Sequence, residues 1–181
     1  MLFTEPAFLF LFLPVLLGLY GLATTKPFGL PYGNYLLVAA SVIFYALGGG
    51  RFTWLMLASI ALNYWAAIII DRTRSRAMLT AAVLVNLGGL ALFKYAGFAV
   101  DNLNLARQAL HLTPLTVPAV ALPIGISFFT FHAVSYVVDV YRGDATAQKS
   151  PVHAALYMLL FPQLIAGPII RYRDIAGQLA R

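Results

Sequence analysis

The sequence predicts an all-α, polytopic transmembrane helical protein with five to six membrane segments, the last of which either crosses the bilayer or re-enters it. Hydrophobic residues make up 61% of the chain and charged residues only 10%, whereas soluble domains average about 45–50% and about 25%. The apolar runs between the charged stretches approach the about 20 residues that a spanning helix needs. The charges concentrate in three short stretches: Asp71–Arg76, Arg142–Lys149 and Arg171–Arg181.

The net charge of +6 is explained by basic loops that flank membrane spans, so we expect membrane lipid and no nucleic acid as a partner. The chain has no cysteine, which excludes disulfides, thiolate metal sites and a cysteine nucleophile. Residues Met1–Pro6 include no Lys or Arg. A cleavable signal peptide has a basic start, so a retained first span is favoured.

Four apolar segments in the first half of the chain are predicted to be membrane helices. A connector rich in Pro and Gly, Thr24–Gly33, ends the first, and Gly48–Gly50 permits a tight reversal after the second because glycine is conformationally permissive. The predicted spans are Pro6–Leu22, Asn34–Leu47, Phe52–Ile70 and Met78–Tyr95.

Polar and small residues inside these spans predict contacts between helices. Asn63 and Asn86 lie within apolar runs, and hydrogen bonding between helices explains both. Gly88 and Gly89 lack bulky side chains, which favours close helix packing.

After Gly97 the apolar residues recur at helical spacing and polar residues occupy the other faces. This pattern is typical of an amphipathic helix. We therefore expect a separate helix here that lies in the membrane interface. Its apolar positions are Ala99, Leu103, Ala106 and Leu110.

The segment Val117–Tyr141 is long enough to span but contains Pro118, Pro123 and Gly125 in its first third. Proline removes a helical hydrogen bond and clashes with the preceding turn. The sequence therefore predicts a break there, followed by a continuous helix that starts near Ile126.

Orientation follows from the placement of Lys and Arg, which favour cytoplasmic loops. This puts Asp71–Arg76 and Arg142–Lys149 inside and the N-terminus outside. If Val152–Ile170 crossed fully, the arginines after it would lie outside, against the rule. A re-entrant segment removes the conflict and predicts that Phe161–Ile170 lines a protein interior or cavity, because irregular backbone at membrane depth needs such cover. A simple sixth span remains the alternative.

No residue is predicted to be catalytic, and no metal site is predicted. His111 and His153 fit solvent or headgroup positions. His132 lies inside an apolar helix, where an ionisable residue is a functional candidate. Asp139 follows two turns later, about 10 Å away, which is too far for a direct hydrogen bond.

The densest polar cluster comprises Asp139, Tyr141, Arg142 and Asp144 and, across one apolar segment, Arg171, Tyr172, Arg173 and Asp174. Alternating arginine and aspartate favour ion pairs that fix a loop. Arginines at a cavity mouth equally suit a phosphate-bearing acyl donor such as a coenzyme A thioester. The candidates for a substrate cavity are Asp139, Tyr141, Arg142, Arg171 and Arg173.

Three consecutive motifs resemble the membrane-bound O-acyltransferase (MBOAT) family, and most closely its bacterial alginate O-acetyltransferase branch. They are LPIGISFFTF at Leu122–Phe131, SYVVDVYRGD at Ser135–Asp144 and FPQLIAGPIIRYRD at Phe161–Asp174. Upstream stretches are similar to the same branch: Phe8–Pro14, Asn63–Trp65 and Val85–Tyr95.

The resemblance implies acetyl transfer from acetyl-CoA to an exopolysaccharide such as alginate, at the inner membrane and with partner proteins outside the cytoplasm. It implies no bound cofactor. The family's catalytic histidine lies in a later helix, so residues 1–181 correspond to an N-terminal part that is inactive alone, and His132 is not that histidine. A transporter or export subunit of a polysaccharide system is the rival, supported by the broken segments, although the sequence contains no inverted repeat. A purely structural membrane subunit is a third reading.

Overall fold

The computed structural model describes residues 5–25, 30–117, 121–162 and 170–179, and these contain helices and no strand. The all-α fold class is confirmed. A π-helical turn at Phe8–Phe12 leads into the first of seven described α-helices. They are α1 (Leu13–Thr24), α2 (Leu30–Gly49), α3 (Phe52–Thr73), α4 (Arg76–Ala109), α5 (Ile126–Arg142), α6 (Pro151–Leu159) and α7 (Tyr172–Leu179).

Three of these helices, α2, α3 and α4, are long and apolar enough to cross a membrane. The apolar helix Phe8–Thr24, which ends in α1, is shorter. Helices of this length with apolar side chains around them match the hydrocarbon core of a bilayer and are unsuited to contact with water. The chain is therefore a helical membrane protein, and the total of five to six segments stays a prediction.

The turns between the first spans lie where the sequence placed them. α2 ends at Gly49, and Gly50 takes a positive φ of 51° that glycine adopts without steric cost. The Thr53 hydroxyl donates to the Gly50 carbonyl at 2.7 Å and fixes the start of α3. At the other end of α3, the Ser75 side chain accepts a hydrogen bond from the Met78 amide at 3.3 Å, which caps α4.

The prediction of a separate interfacial helix after Gly97 is wrong. α4 runs through Gly97 without interruption to Ala109, over 34 residues. One glycine inside a helix costs only about 1 kcal/mol, so it does not end an otherwise helical run. At about 1.5 Å per residue the helix is about 51 Å long, well beyond a hydrocarbon core of about 30 Å.

Asn63 on α3 and Asn86 on α4 form the predicted contact between helices. Each amide donates to the other's carbonyl oxygen, at 3.1 and 2.7 Å, and both side chains are buried. The close packing predicted at Gly88 and Gly89 is wrong for the described residues, because no atom lies within 4 Å of where their Cβ atoms would be. The close approach is at Gly33, whose Cβ position lies 2.9 Å from Tyr20 and Thr24 side-chain atoms.

α5 lies at the centre of the bundle and packs against α3, α4, α6 and α7. It begins at Ile126, as predicted, after Gly125 in a left-handed conformation with φ of 72°. Pro118, which also marked the expected break, lies outside the described residues. The side chains of Tyr136, Val137 and Val140 are fully buried in the main core.

The last apolar segment is not one continuous helix, since α6 stops at Leu159. Nine residues extend only about 13 Å, less than half of the hydrocarbon thickness. Phe161 beyond it is buried in a second cluster against Phe8 and Phe44. Most of Phe161–Ile170, predicted to line an interior, lies outside the described residues.

Candidate functional site

The charged stretches of residues 71–76, 142–149 and 171–179 meet at one end of the bundle, which we call the basic end. The Arg74 guanidinium, from the α3–α4 turn, donates to the carbonyl oxygens of Val140 and Tyr141 at 2.7 and 3.1 Å. The Tyr172 hydroxyl, at the start of α7, donates to the Thr146 carbonyl at 2.9 Å. The chain therefore returns after α6 to the end from which α6 started, as a re-entrant segment requires.

Asp139 is the polar anchor of the basic end. Its side chain is only 4% exposed, and its Oδ2 accepts hydrogen bonds from the Ser135 hydroxyl and the Arg173 backbone amide, both at 3.2 Å. Two donors satisfy a carboxylate that burial would otherwise penalise. The second and third sequence motifs are thus joined by the acid of one and the backbone of the other.

Tyr172 is the deepest residue of the cluster, with no exposed surface. Its backbone amide donates to the Ser135 hydroxyl at 3.3 Å. Its ring lies edge-on to Tyr136 at 4.6 Å and to Tyr157 at 5.2 Å between centroids. Tyr172 belongs to the polar cluster of the sequence but is not one of the predicted cavity residues. The sequence does contain a signal for its burial, because Tyr172 is an aromatic residue between Arg171 and Arg173. When the two arginines face solvent, the residue between them faces the interior.

The remaining candidates divide into paired and unpaired side chains. Arg173 forms ion pairs with Asp144 at 3.7 Å and Asp174 at 3.5 Å, and its own side chain is 43% exposed. The Tyr141 hydroxyl accepts from Arg76 Nε at 3.1 Å. In the described ranges Arg142 and Arg171 are exposed, and their side chains make no hydrogen bond or ion pair.

The structure therefore brings Asp139 and Arg173 together through a backbone contact and turns Arg142 and Arg171 outward. The ion pairs of Arg173 correspond to the loop-fixing role that the sequence left open. Exposed ion pairs contribute little stability. Another anion can therefore replace Asp144 or Asp174 beside the Arg173 guanidinium. A cavity of about 590 Å³ adjoins them and is lined by Lys149, His153 and Arg173 among others.

His132 is 1% exposed and packs against the Tyr157 ring at 5.3 Å between centroids. Among the described residues neither of its ring nitrogens has a hydrogen-bond partner. His132 therefore makes no side-chain hydrogen bond to Asp139. The other two histidines occupy ordinary positions: His111 is exposed, and His153 lies 3.4 Å from the Asn34 amide. No group of three His, Asp or Glu residues that could hold a metal occurs within the described ranges.

Fold and site together define a helical membrane protein with a broken, returning segment and a basic, cavity-bearing end. No family model and no solved structure matches the chain. Among curated proteins it is similar to the probable alginate O-acetylase of Azotobacter vinelandii, at 44% identity over 98% of this chain and 36% of the relative. The probable alginate O-acetylase of Pseudomonas aeruginosa is 43% identical over 98% of this chain and 34% of the relative.

A peptidoglycan O-acetyltransferase from Helicobacter pylori is 31% identical, over 98% of this chain and 38% of the relative. The chain spans about a third of the length of the curated relatives that it matches. These matches confirm the resemblance to O-acetyltransferases of the alginate type that the three motifs indicated.

Proposed function

We propose that the chain is the N-terminal part of a membrane-bound O-acyltransferase that acetylates hydroxyl groups of an exopolysaccharide such as alginate. The observation that carries this proposal is the similarity to alginate O-acetylases over 98% of the chain. Residues 1–181 then supply the scaffold and one wall of the cavity. The catalytic histidine belongs to the part of the enzyme that follows them, and this chain alone is inactive.

Acetyl-CoA is the proposed acyl donor, bound at the basic end. In the reaction, a hydroxyl oxygen attacks the thioester carbonyl, the C–O bond forms, the C–S bond breaks, and the hydroxyl proton ends on the thiol. The residues of this chain contribute only to binding. Arg173, at the 590 Å³ cavity, suits the phosphates of the nucleotide because a guanidinium group forms charge-assisted hydrogen bonds with them.

Asp139 supports that binding site indirectly. Its carboxylate holds the Arg173 backbone amide, so the start of α7 stays beside the cavity while the guanidinium remains free to move. We place the enzyme in the inner membrane with the basic end facing the cytoplasm, which is where coenzyme A thioesters are made. The acceptor and the partner proteins are then on the opposite side of the membrane, and no nucleic acid is involved.

An acetyl-transfer assay tests the proposal. The complete reading frame that contains this chain, reconstituted with radiolabelled acetyl-CoA and alginate, should release base-labile acetate from the polymer, whereas residues 1–181 alone should give none. Arg173→Gln should raise the KM for acetyl-CoA about tenfold, the size expected for one charge-assisted hydrogen bond. Arg51→Gln, at the opposite end of the bundle, should leave KM unchanged. An unaltered KM in Arg173→Gln would remove the proposed donor site.

A polysaccharide transporter or export subunit is the second candidate. The break before α5 and the short α6 favour it, because discontinuous helices form substrate sites in transporters. Polymer export that stops when this gene is deleted, with acetylation of the remaining polymer unchanged, would select this candidate over the acyltransferase.

A further inference from the structure

A second cavity lies at the basic end, on the outer side of α3. Its volume is about 630 Å³, and it is bounded by α3 and by the loop between α5 and α6. Three of its lining side chains carry the argument: Trp65 and Arg72 on α3, and Lys149 on the loop. All three are exposed, and the cavity is separate from the ion pairs of Arg173.

Two hydrogen bonds hold the loop against α3. The Tyr64 hydroxyl donates to the Lys149 carbonyl at 2.9 Å, and the Ala147 amide donates to Asp71 Oδ2 at 3.3 Å. The other carboxylate oxygen of Asp71 lies 3.6 Å from the Arg74 guanidinium. Asp71, the acid among the described residues that line this cavity, therefore already has a protein partner at each carboxylate oxygen.

The two cations of the cavity, Arg72 and Lys149, have no anionic partner among the described residues. Within the part of the chain that the structure describes, neither Arg72 nor Lys149 forms an ion pair. Two basic side chains beside a prearranged loop attract a ligand with a negative charge. Basic pockets between membrane helices at the cytoplasmic side are the sites where phospholipid headgroups bind.

An apolar groove adjoins the cavity at Trp65. It lies between α3 and α4, has a volume of about 280 Å³, and is lined only by apolar side chains that include Leu62, Ile69 and Val85. Trp65 borders both spaces. Seven residues separate Trp65 from Arg72, which corresponds to about 10 Å along the helix, so Trp65 occupies the level at which a headgroup gives way to acyl chains.

We propose that the cavity and the groove together bind one anionic phospholipid. Its phosphate contacts Arg72 and Lys149, its glycerol region passes over Trp65, and an acyl chain fills the groove between α3 and α4. A lipid fits better than a soluble phosphate because Trp65 borders both the basic cavity and the apolar groove, so one molecule with a charged head and an apolar chain can occupy the two. The site does not depend on the proposed acetyl transfer.

Quenching of Trp65 fluorescence tests the site. The chain has two tryptophans, so Trp54→Phe leaves Trp65 as the single reporter. In nanodiscs of fixed ionic strength, phosphatidylglycerol with brominated acyl chains should quench Trp65 at a mole fraction on the order of tenfold lower than brominated phosphatidylcholine, since each basic side chain adds severalfold to the affinity for an anionic lipid.

Variants assign the preference to the two cations. In the single-tryptophan background, Arg72→Gln with Lys149→Gln should abolish the preference for phosphatidylglycerol. The matched control, Arg51→Gln with Lys94→Gln, removes the same charge near the opposite end of α3, where Phe52 contacts Phe93 of α4, and should retain the preference. Circular dichroism checks that both double variants keep the helical content of the parent, and Arg72→Lys with Lys149→Arg should keep the preference even if the neutral pair fails to fold.

Three results would overturn the proposal. The first is equal quenching by the two lipids, and the second is a preference that survives in Arg72→Gln with Lys149→Gln. The third is loss of the preference when inorganic phosphate or free coenzyme A replaces chloride at equal ionic strength. That result would assign the cations to a soluble phosphate ligand.

Discussion

Two neighbouring helices of this protein, α4 and α5, reverse the usual relation between apolar sequence and burial. α4 has 34 residues and an apolar first half, yet Ala82 and Asn86 are its buried residues. α5 is half as long and contains a histidine, an aspartate, a threonine and serines, yet more than half of its residues are buried.

The membrane explains the reversal. Lipid solvates apolar side chains as well as a protein interior does, so an apolar helix gains little from being covered by other helices. Polar groups in the hydrocarbon region must find partners inside the protein. Asp139 and Thr130 are buried because α5 is central, and Asn86 is the polar exception on α4 because it pairs with Asn63. In this bundle the polar residues therefore identify the interior.

The largest effect is expected when Asp139, the buried acid that joins α5 to the start of α7, is removed. Asp139→Ala deletes the acceptor for the Ser135 hydroxyl and the Arg173 amide, and hydrogen bonds to charged groups contribute about 1.5–3 kcal/mol each. We expect the free energy of unfolding in detergent to fall by about 3 kcal/mol, measured by denaturant titration of helical content. Asp101→Ala, at an exposed position of α4, is the matched control and should change it by less than about 0.5 kcal/mol. Equal losses in the two variants would mean that polar burial does not distinguish the helices.

The second test breaks the polar contact that joins α3 to α4. Asn63→Leu leaves the side-chain oxygen of Asn86 without its donor, and we expect a loss of about 1 kcal/mol, the scale of hydrogen bonds between membrane helices. Replacing both asparagines with leucine removes the unsatisfied group as well. The double variant should therefore be more stable than Asn63→Leu alone, in the same denaturant titration. Additive losses would show that the two side chains act independently.

The smallest effect is expected at the glycines. Gly89→Leu adds a side chain where no atom lies within 4 Å, whereas Gly33→Leu meets Tyr20 and Thr24. The midpoint temperature of thermal unfolding, Tm, should be unchanged or slightly raised in Gly89→Leu, because glycine is a poor helix former. In Gly33→Leu the Tm should fall by a few degrees, which corresponds to a loss of about 1 kcal/mol in stability. The opposite ranking would place a packing partner against α4 and none against α1.

The sequence was sufficient for features that depend on local chemistry. Apolar runs, the Gly48–Gly50 reversal and the break before Ile126 are each set by a few adjacent residues, and the structure has all three. Hydrogen bonding between helices was also predicted for Asn63 and Asn86, because a buried amide in a membrane has few alternatives to another polar side chain; the structure shows that the two amides bond to each other.

The sequence failed where the answer depended on the third dimension. The composition of the chain changes after Gly97, but the backbone stays helical there because the residues on both sides of Gly97 favour a helix. Gly88 and Gly89 offered a packing surface, but which face of α4 meets α3 depends on the whole bundle. In the candidate site, composition marked the arginines as the functional groups. Only the returning chain shows that Asp139 holds a backbone amide and that Tyr172 lies at the centre.

The chain returns after α6, so that Arg173 lies at the same end of the bundle as the α5–α6 loop. The absence of native cysteine makes labelling with a membrane-impermeant maleimide direct. In intact cells Arg173→Cys and Ala145→Cys should both resist labelling until the membrane is permeabilised, whereas Arg51→Cys, at the opposite end, should label at once. Arg173→Cys that labels together with Arg51→Cys, and apart from Ala145→Cys, would contradict the returning segment and restore a sixth span.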